Sequence, residues 1–173
     1  MSLDILVART EDFDGACLGK NMGDSLYLAS IYRMTGVNFR LAAETLADAM
    51  ETKEDGTPAK LTAIPFYFVA SHAAELFLKS ALLKRGFTES DLKQYDYRHS
   101  LNALLLAVQD KGVSVTHDTV QLIDGFHHQH QTHALRYSAL VDDGQATFMP
   151  PASLVFAMLD ELLLLTGIST QGV

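Results

Sequence analysis

The chain has 173 residues, 48% of them hydrophobic and 20% charged, and its 13 Lys and Arg against 21 Asp and Glu leave a net charge of −8. That length suits one compact domain, which buries roughly 70% of its unfolded surface, and this much apolar content excludes general disorder. The acidic balance excludes a grip on nucleic acid by bulk charge, so non-specific DNA binding is not expected. The single Cys17 excludes an internal disulfide framework and a CxxC zinc site.

Residues 1–20 read as an N-terminal arm or short helix, and residues 21–173 as one helical-bundle domain. Asp24 is a candidate N-cap for a helix reaching Met50, with Gly36 as a break inside it. After the polar segment Glu51 to Pro58, Thr62 reads as an N-cap, Pro65 falls in the first turn, and the helix reaches about Arg85 with Gly86 as its stop. Thr88 followed by Asp91 has the form of a capping box for a short helix. Ser100 caps a helix ending near Gly112, and Thr116 caps one covering Val120 to His133. Pro150 or Pro151 opens the last helix, which closes near Gly167. Val113 to Val115 is too short to found a sheet, and Asp124-Gly125 sits inside a helical pattern rather than a hairpin. The expectation is an all-α, up-and-down bundle of four to five main helices.

Neither the start of the chain nor its most apolar tracts read as a leader or a membrane span. The tract Leu61 to Leu83 carries His72, Glu75 and Lys79, and the run Leu154 to Leu165 carries Asp160 and Glu161. The expectation is a soluble, cytoplasmic protein without membrane contact.

The helix from Thr62 to Arg85 is apolar around most of its circumference, so it belongs at the centre of the bundle or in an interface. Its few polar residues then need partners. His72, Glu75 and Lys79 fall at i, i+3 and i+7, within roughly 60° of each other on the helix surface. They read either as a solvent face or as a partly buried network that holds Tyr97-Arg98-His99-Ser100 or lines a ligand cleft.

His127, His128, His130 and His133 crowd the end of the next long helix. His127 and His130 project with Val120 and Ile123 at i,i+3 spacing, which would serve a metal if Glu75 or His72 joined them. No HExxH and no repeated ExxH pair supports that reading, so no cofactor is expected and the two histidines stand as weak metal candidates. Nucleotide-loop and nucleophile-elbow motifs are also lacking.

One set of residues resembles a known family. Ala73-Ala74-Glu75-Leu76-Phe77-Leu78-Lys79-Ser80-Ala81-Leu82-Leu83, then Gly86, then His99-Ser100-Leu101 with Leu104-Leu105, looks like the HEPN superfamily. Ser100 stands where Asp is frequent, and Ala134-Leu135-Arg136-Tyr137 is similar to an element of some of these proteins. The resemblance extends from about Phe66 to Tyr137. It implies a helical bundle that pairs as a homodimer and, in many members, a metal-independent ribonuclease with Arg, four to six residues, then His. No Arg of this chain has a His at that distance. The residues that match are Glu75, Lys79, His99, Arg136 and Tyr137, which with His72 and Arg98 read as a structural or ligand-binding network. The expectation is a non-catalytic HEPN-like dimeric module for a nucleotide, an RNA or a partner protein. The alternatives are a ribonuclease with a rearranged site at Arg98 and His99, and a metal-binding bundle using His127 and His130. Lys79, Arg98 and Arg136 form the expected basic focus for an anionic ligand.

Overall fold

A computed structural model describes residues 4–50, 60–94, 96–131 and 148–167, with side chains described over 23–50, 63–94, 96–128 and 148–167. The described residues are all-helical, without a strand. The helices are α1 (Asp4–Asp48), α2 (Lys60–Leu83), α3 (Glu89–Leu92), α4 (Leu101–Asp110), α5 (His117–Gln131) and α6 (Ala152–Leu165).

Local signals place most helix ends where the sequence put them. Thr88 and Asp91 form the reciprocal capping box of α3. The Ser100 hydroxyl accepts from the Ala103 amide to cap α4, and the Thr116 hydroxyl accepts from Thr119 N at the start of α5. Gly86 (φ 92°) and Gly112 (φ 79°) supply the left-handed conformation that stops α2 and α4. Two starts differ from expectation. The backbone of α1 is helical from Asp4, so Asp24 caps nothing, and α2 begins at Lys60, which leaves Pro65 inside the helix rather than at its edge.

Gly36 is likewise no break. Ala29, Gly36 and Ala43 are buried in α1 at seven-residue spacing. This seam of small side chains lets the backbone of α1 approach α2 closely. Ser80 donates to the Ala29 carbonyl at 2.8 Å, the Phe77 ring lies against Gly36, and the His72 ring meets Phe39 edge-on at 4.6 Å. As the α1 number rises the α2 number falls, so the two helices are antiparallel.

Helix α2 is the axis of the fold. Phe66, Tyr67, Phe77, Leu78 and Leu82 are fully buried along it, against Leu101 and Leu104 of α4, Ile123 and Phe126 of α5, and Met158, Leu159 and Leu162 of α6. Each such side chain contributes roughly 1.5–3 kcal/mol by leaving water. The Tyr67 hydroxyl donates to the Pro150 carbonyl at 2.7 Å, and burial pushes its pKa up to about 12, so it stays a neutral donor. Gly125 gives the Phe148 ring room against α5, which explains the glycine inside that helix.

Polar clamps align the remaining elements. Asp160 and Glu44 both accept from Arg40. The Glu161 carboxylate of α6 accepts from the Thr116 amide (2.7 Å), the Thr116 hydroxyl (2.6 Å) and the Thr119 hydroxyl (2.5 Å), so one helix supplies the negative charge at the start of another. Burial raises the Glu161 pKa, but the hydrogen bonds from Thr116 and Thr119 outweigh it and hold the group below its ordinary value.

Two outcomes are expected. A lowered folded-state pKa stabilises the fold above the ordinary carboxylate value near 4.5 and loses that contribution as pH falls through the lowered one. Unfolding midpoints measured from pH 7 to pH 3 should therefore fall less steeply in Glu161→Gln than in the wild type. Gly36→Ala should cost about 1–3 kcal/mol in denaturant unfolding, because the added Cβ would lie 2.6 Å from a Phe77 ring carbon, outweighing the roughly 1 kcal/mol gain in helix propensity.

Candidate functional site

Glu75 is 3% exposed in the middle of α2, where a lone carboxylate would be strongly disfavoured. Three cationic or potentially cationic groups surround it. Lys79, one turn on, places Nζ 2.5 Å from Oε1. His99, just before α4, has Nδ1 3.6 Å from the same oxygen, and His72, one turn back, has Nδ1 3.9 Å from Oε2. Lys79 also donates to the Arg98 carbonyl at 2.9 Å. The pair therefore stitches the segment between α3 and α4 onto the central helix.

The i, i+3, i+7 stripe is thus a partly buried network, not a plain solvent face. Its depth is graded. Glu75 and Lys79 form the sheltered base, while the side chain of His72 is 39% exposed and that of His99 is 63% exposed. The Arg98 backbone enters the network, and the Arg98 residue is exposed. What the cluster offers to solvent is two imidazole rings and a guanidinium on a pinned loop. A carboxylate beside an imidazole can orient it.

Arg136 and Tyr137 lie outside the described residues. The basic focus expected at Lys79, Arg98 and Arg136 is altered at Lys79, because that ammonium is matched by Glu75 at hydrogen-bond distance. The described histidines of the cluster assemble no metal site. His127 is half-buried with Nδ1 enclosed and no hydrogen-bond partner among the described residues. Burial lowers its pKa, with Asp124 opposing and His128 reinforcing the shift. His128 is exposed, and the side chains of His130 and His133 are outside the described set. Among the described residues, no group of three or more His, Cys, Asp or Glu could hold a metal, so Glu75 and His72 do not join His127 as ligands.

Two features escaped sequence reasoning. A cavity of about 630 Å³ opens between α1 and the start of α3, lined by Asp24, Tyr27, Leu28, Ile31, Thr88 and Glu89 among others. Its carboxylates make it a poor host for phosphate. The second is a grip on the end of α6 by Arg33, Lys84 and Arg85. Neither has a local signal, because each joins residues far apart in the chain.

No family model matches the sequence, and no curated protein or solved structure matches it either.

Removing one member of the buried pair should be costly. Glu75→Ala is expected to lose about 2–4 kcal/mol in urea unfolding, because Lys79 is left sheltered and uncompensated. Glu75→Leu combined with Lys79→Met should lose less than Glu75→Ala alone. A loss below about 0.5 kcal/mol for Glu75→Ala would mark the pair as a surface pair.

Proposed function

We propose that this chain is a non-catalytic, HEPN-like binding module that acts as a homodimer and presents Arg98 and His99 to a nucleotide or RNA. The observation that carries the reading is the Glu75–Lys79 pair bonded to the Arg98 backbone. It holds an exposed Arg-His dipeptide on a rigid base, which reduces the ordering cost of binding. The charge of Lys79 is spent on Glu75, so the network positions a surface rather than supplying an unpaired catalytic cation. The family resemblance covers the same residues, and the missing Arg-x4–6-His pattern agrees with a binding role.

Pairing is supported by the outer face of α1. Tyr27, Ile31, Met34 and Leu41 are all exposed and fall within roughly 80° of each other around the helix. Tyr27, Met34 and Leu41 repeat every seven residues, the spacing of a helix–helix seam. The hydroxyls on that face, Ser30 and Thr45, already donate to carbonyls one turn back, so covering them strands no donor. A second copy of α1 is the matching partner.

Light scattering should report twice the 19.0 kDa chain mass, and Met34→Glu with Leu41→Glu should return it to the monomer value. Fluorescence anisotropy with a short labelled RNA and with labelled ATP should show saturable binding that Arg98→Ala and His99→Ala weaken at least fivefold. Binding of neither probe would reject the nucleotide reading and leave a protein partner. A second reading, a ribonuclease with a rearranged site, is favoured only by the 3.6 Å approach of His99 to Glu75. Intact RNA after prolonged incubation with wild-type protein removes it.

A further inference from the structure

The C-terminal end of α6 is held by three cations from two other helices. Arg33 of α1 donates from Nε to the Thr166 hydroxyl at 3.1 Å. Lys84, just past the end of α2, donates from Nζ to the Thr166 carbonyl. Arg85 donates from Nη1 to the Leu165 carbonyl at 3.0 Å and to Ala81 O at 2.8 Å. All three heads therefore meet at two consecutive residues, within the span of a small ligand.

The helix end explains only part of this charge. The last carbonyls of a helix carry about half a negative charge, against three full positive ones. Among the described residues, no carboxylate pairs with Arg33, Lys84 or Arg85. Within α1, positions three and four from Arg33 are Ala29, Ser30, Gly36 and Val37, none of them acidic. Residues 167–173, which follow Thr166, contain no Asp or Glu. The carboxylates of α6 are engaged elsewhere, Asp160 by Arg40 and Glu161 by Thr116 and Thr119. Burial lowers the Lys84 pKa, and the neighbouring charges that add to the shift are both positive, Arg33 and Arg85. In a chain of net charge −8, this concentration of cations without a paired carboxylate among the described residues stands out.

Donor capacity is also left over. An ammonium has three N–H groups and a guanidinium five, and the bonds to Ala81, Leu165 and Thr166 use a minority of them. Two guanidinium forks and an ammonium around one point suit a tetrahedral oxyanion better than a flat carboxylate. Lys84 lies about 140° around α2 from Lys79, so this end of the bundle is separate from the Glu75 network. We propose that Arg33, Lys84 and Arg85 form a binding site for a phosphate-class dianion, capping the C-terminal end of α6. The site does not depend on the reading of Arg98 and His99.

The test is isothermal titration of the full chain with inorganic phosphate at low, constant ionic strength, against a chloride control. The expected result is saturable binding of one phosphate per chain, weakened at least tenfold in Arg33→Gln and in Lys84→Met and unchanged in Lys93→Gln. Adenosine 5′-monophosphate, titrated into the chain carrying Arg98→Ala and His99→Ala, serves as a second titrant. Tighter binding than phosphate assigns the site to a nucleotide's phosphate, and equal or weaker binding to a free one. Absence of saturable phosphate binding overturns the proposal, as does unchanged affinity in Arg33→Gln. Arg33 is exposed and makes one side-chain bond, so that variant remains decisive if Lys84→Met fails to fold.

Discussion

The enclosure of α2 constrains everything else in this protein. The helix has α1 on one side, α4 and α6 on others, and α5 reaching its Tyr67, so little of its surface meets water. An enclosed helix tolerates a charge only with a countercharge at hand. Glu75 and Lys79 answer that demand within the helix itself, one turn apart. The remaining capacity of Lys79 is turned outward to the Arg98 carbonyl, and this fixes the path of the chain between α3 and α4. A packing requirement at the centre thus becomes a defined surface at the edge.

The same enclosure dictates the composition of α1. Its inner seam is Ala29, Gly36 and Ala43, because the Phe77 ring and the Ser80 hydroxyl of α2 need close approach. Its outer seam, two residues behind, is Tyr27, Met34 and Leu41, which no described element covers. One helix therefore carries two heptad-spaced faces, small inward and large outward. Helix ends are secured by charges borrowed from other helices, as with Glu161 at α5 and Arg33, Lys84 and Arg85 at α6.

Much of this was legible in the residues. The capping box at Thr88 and Asp91, the Ser100 cap and the glycine stops at Gly86 and Gly112 are local chemistry, complete within four or five residues. The stripe of His72, Glu75 and Lys79 was visible as a polar interruption of an apolar helix, but its degree of burial was not. Helical periodicity says which residues share a face, while depth depends on what packs there. Gly36 illustrates the limit. Propensity marks it as a weak point in α1, whereas its neighbour across the helix pair makes it a fitted contact. The i,i+3 spacing of His127 and His130 suggested a metal for the same reason, and His127 has no such cluster of ligands around it among the described residues.

The sequence by itself determined the all-helical class, most of the helix ends, and the nearly all-round apolar character of α2, because each follows from propensity, capping and periodicity over short distances. Only the tertiary structure decided that Glu75 is buried beside Lys79 with His72 and His99 around it, and that Arg33, Lys84 and Arg85 converge on Leu165 and Thr166. Those arrangements join residues as far as 133 positions apart, and nothing in local chemistry encodes which distant side chain will close over a given helix end.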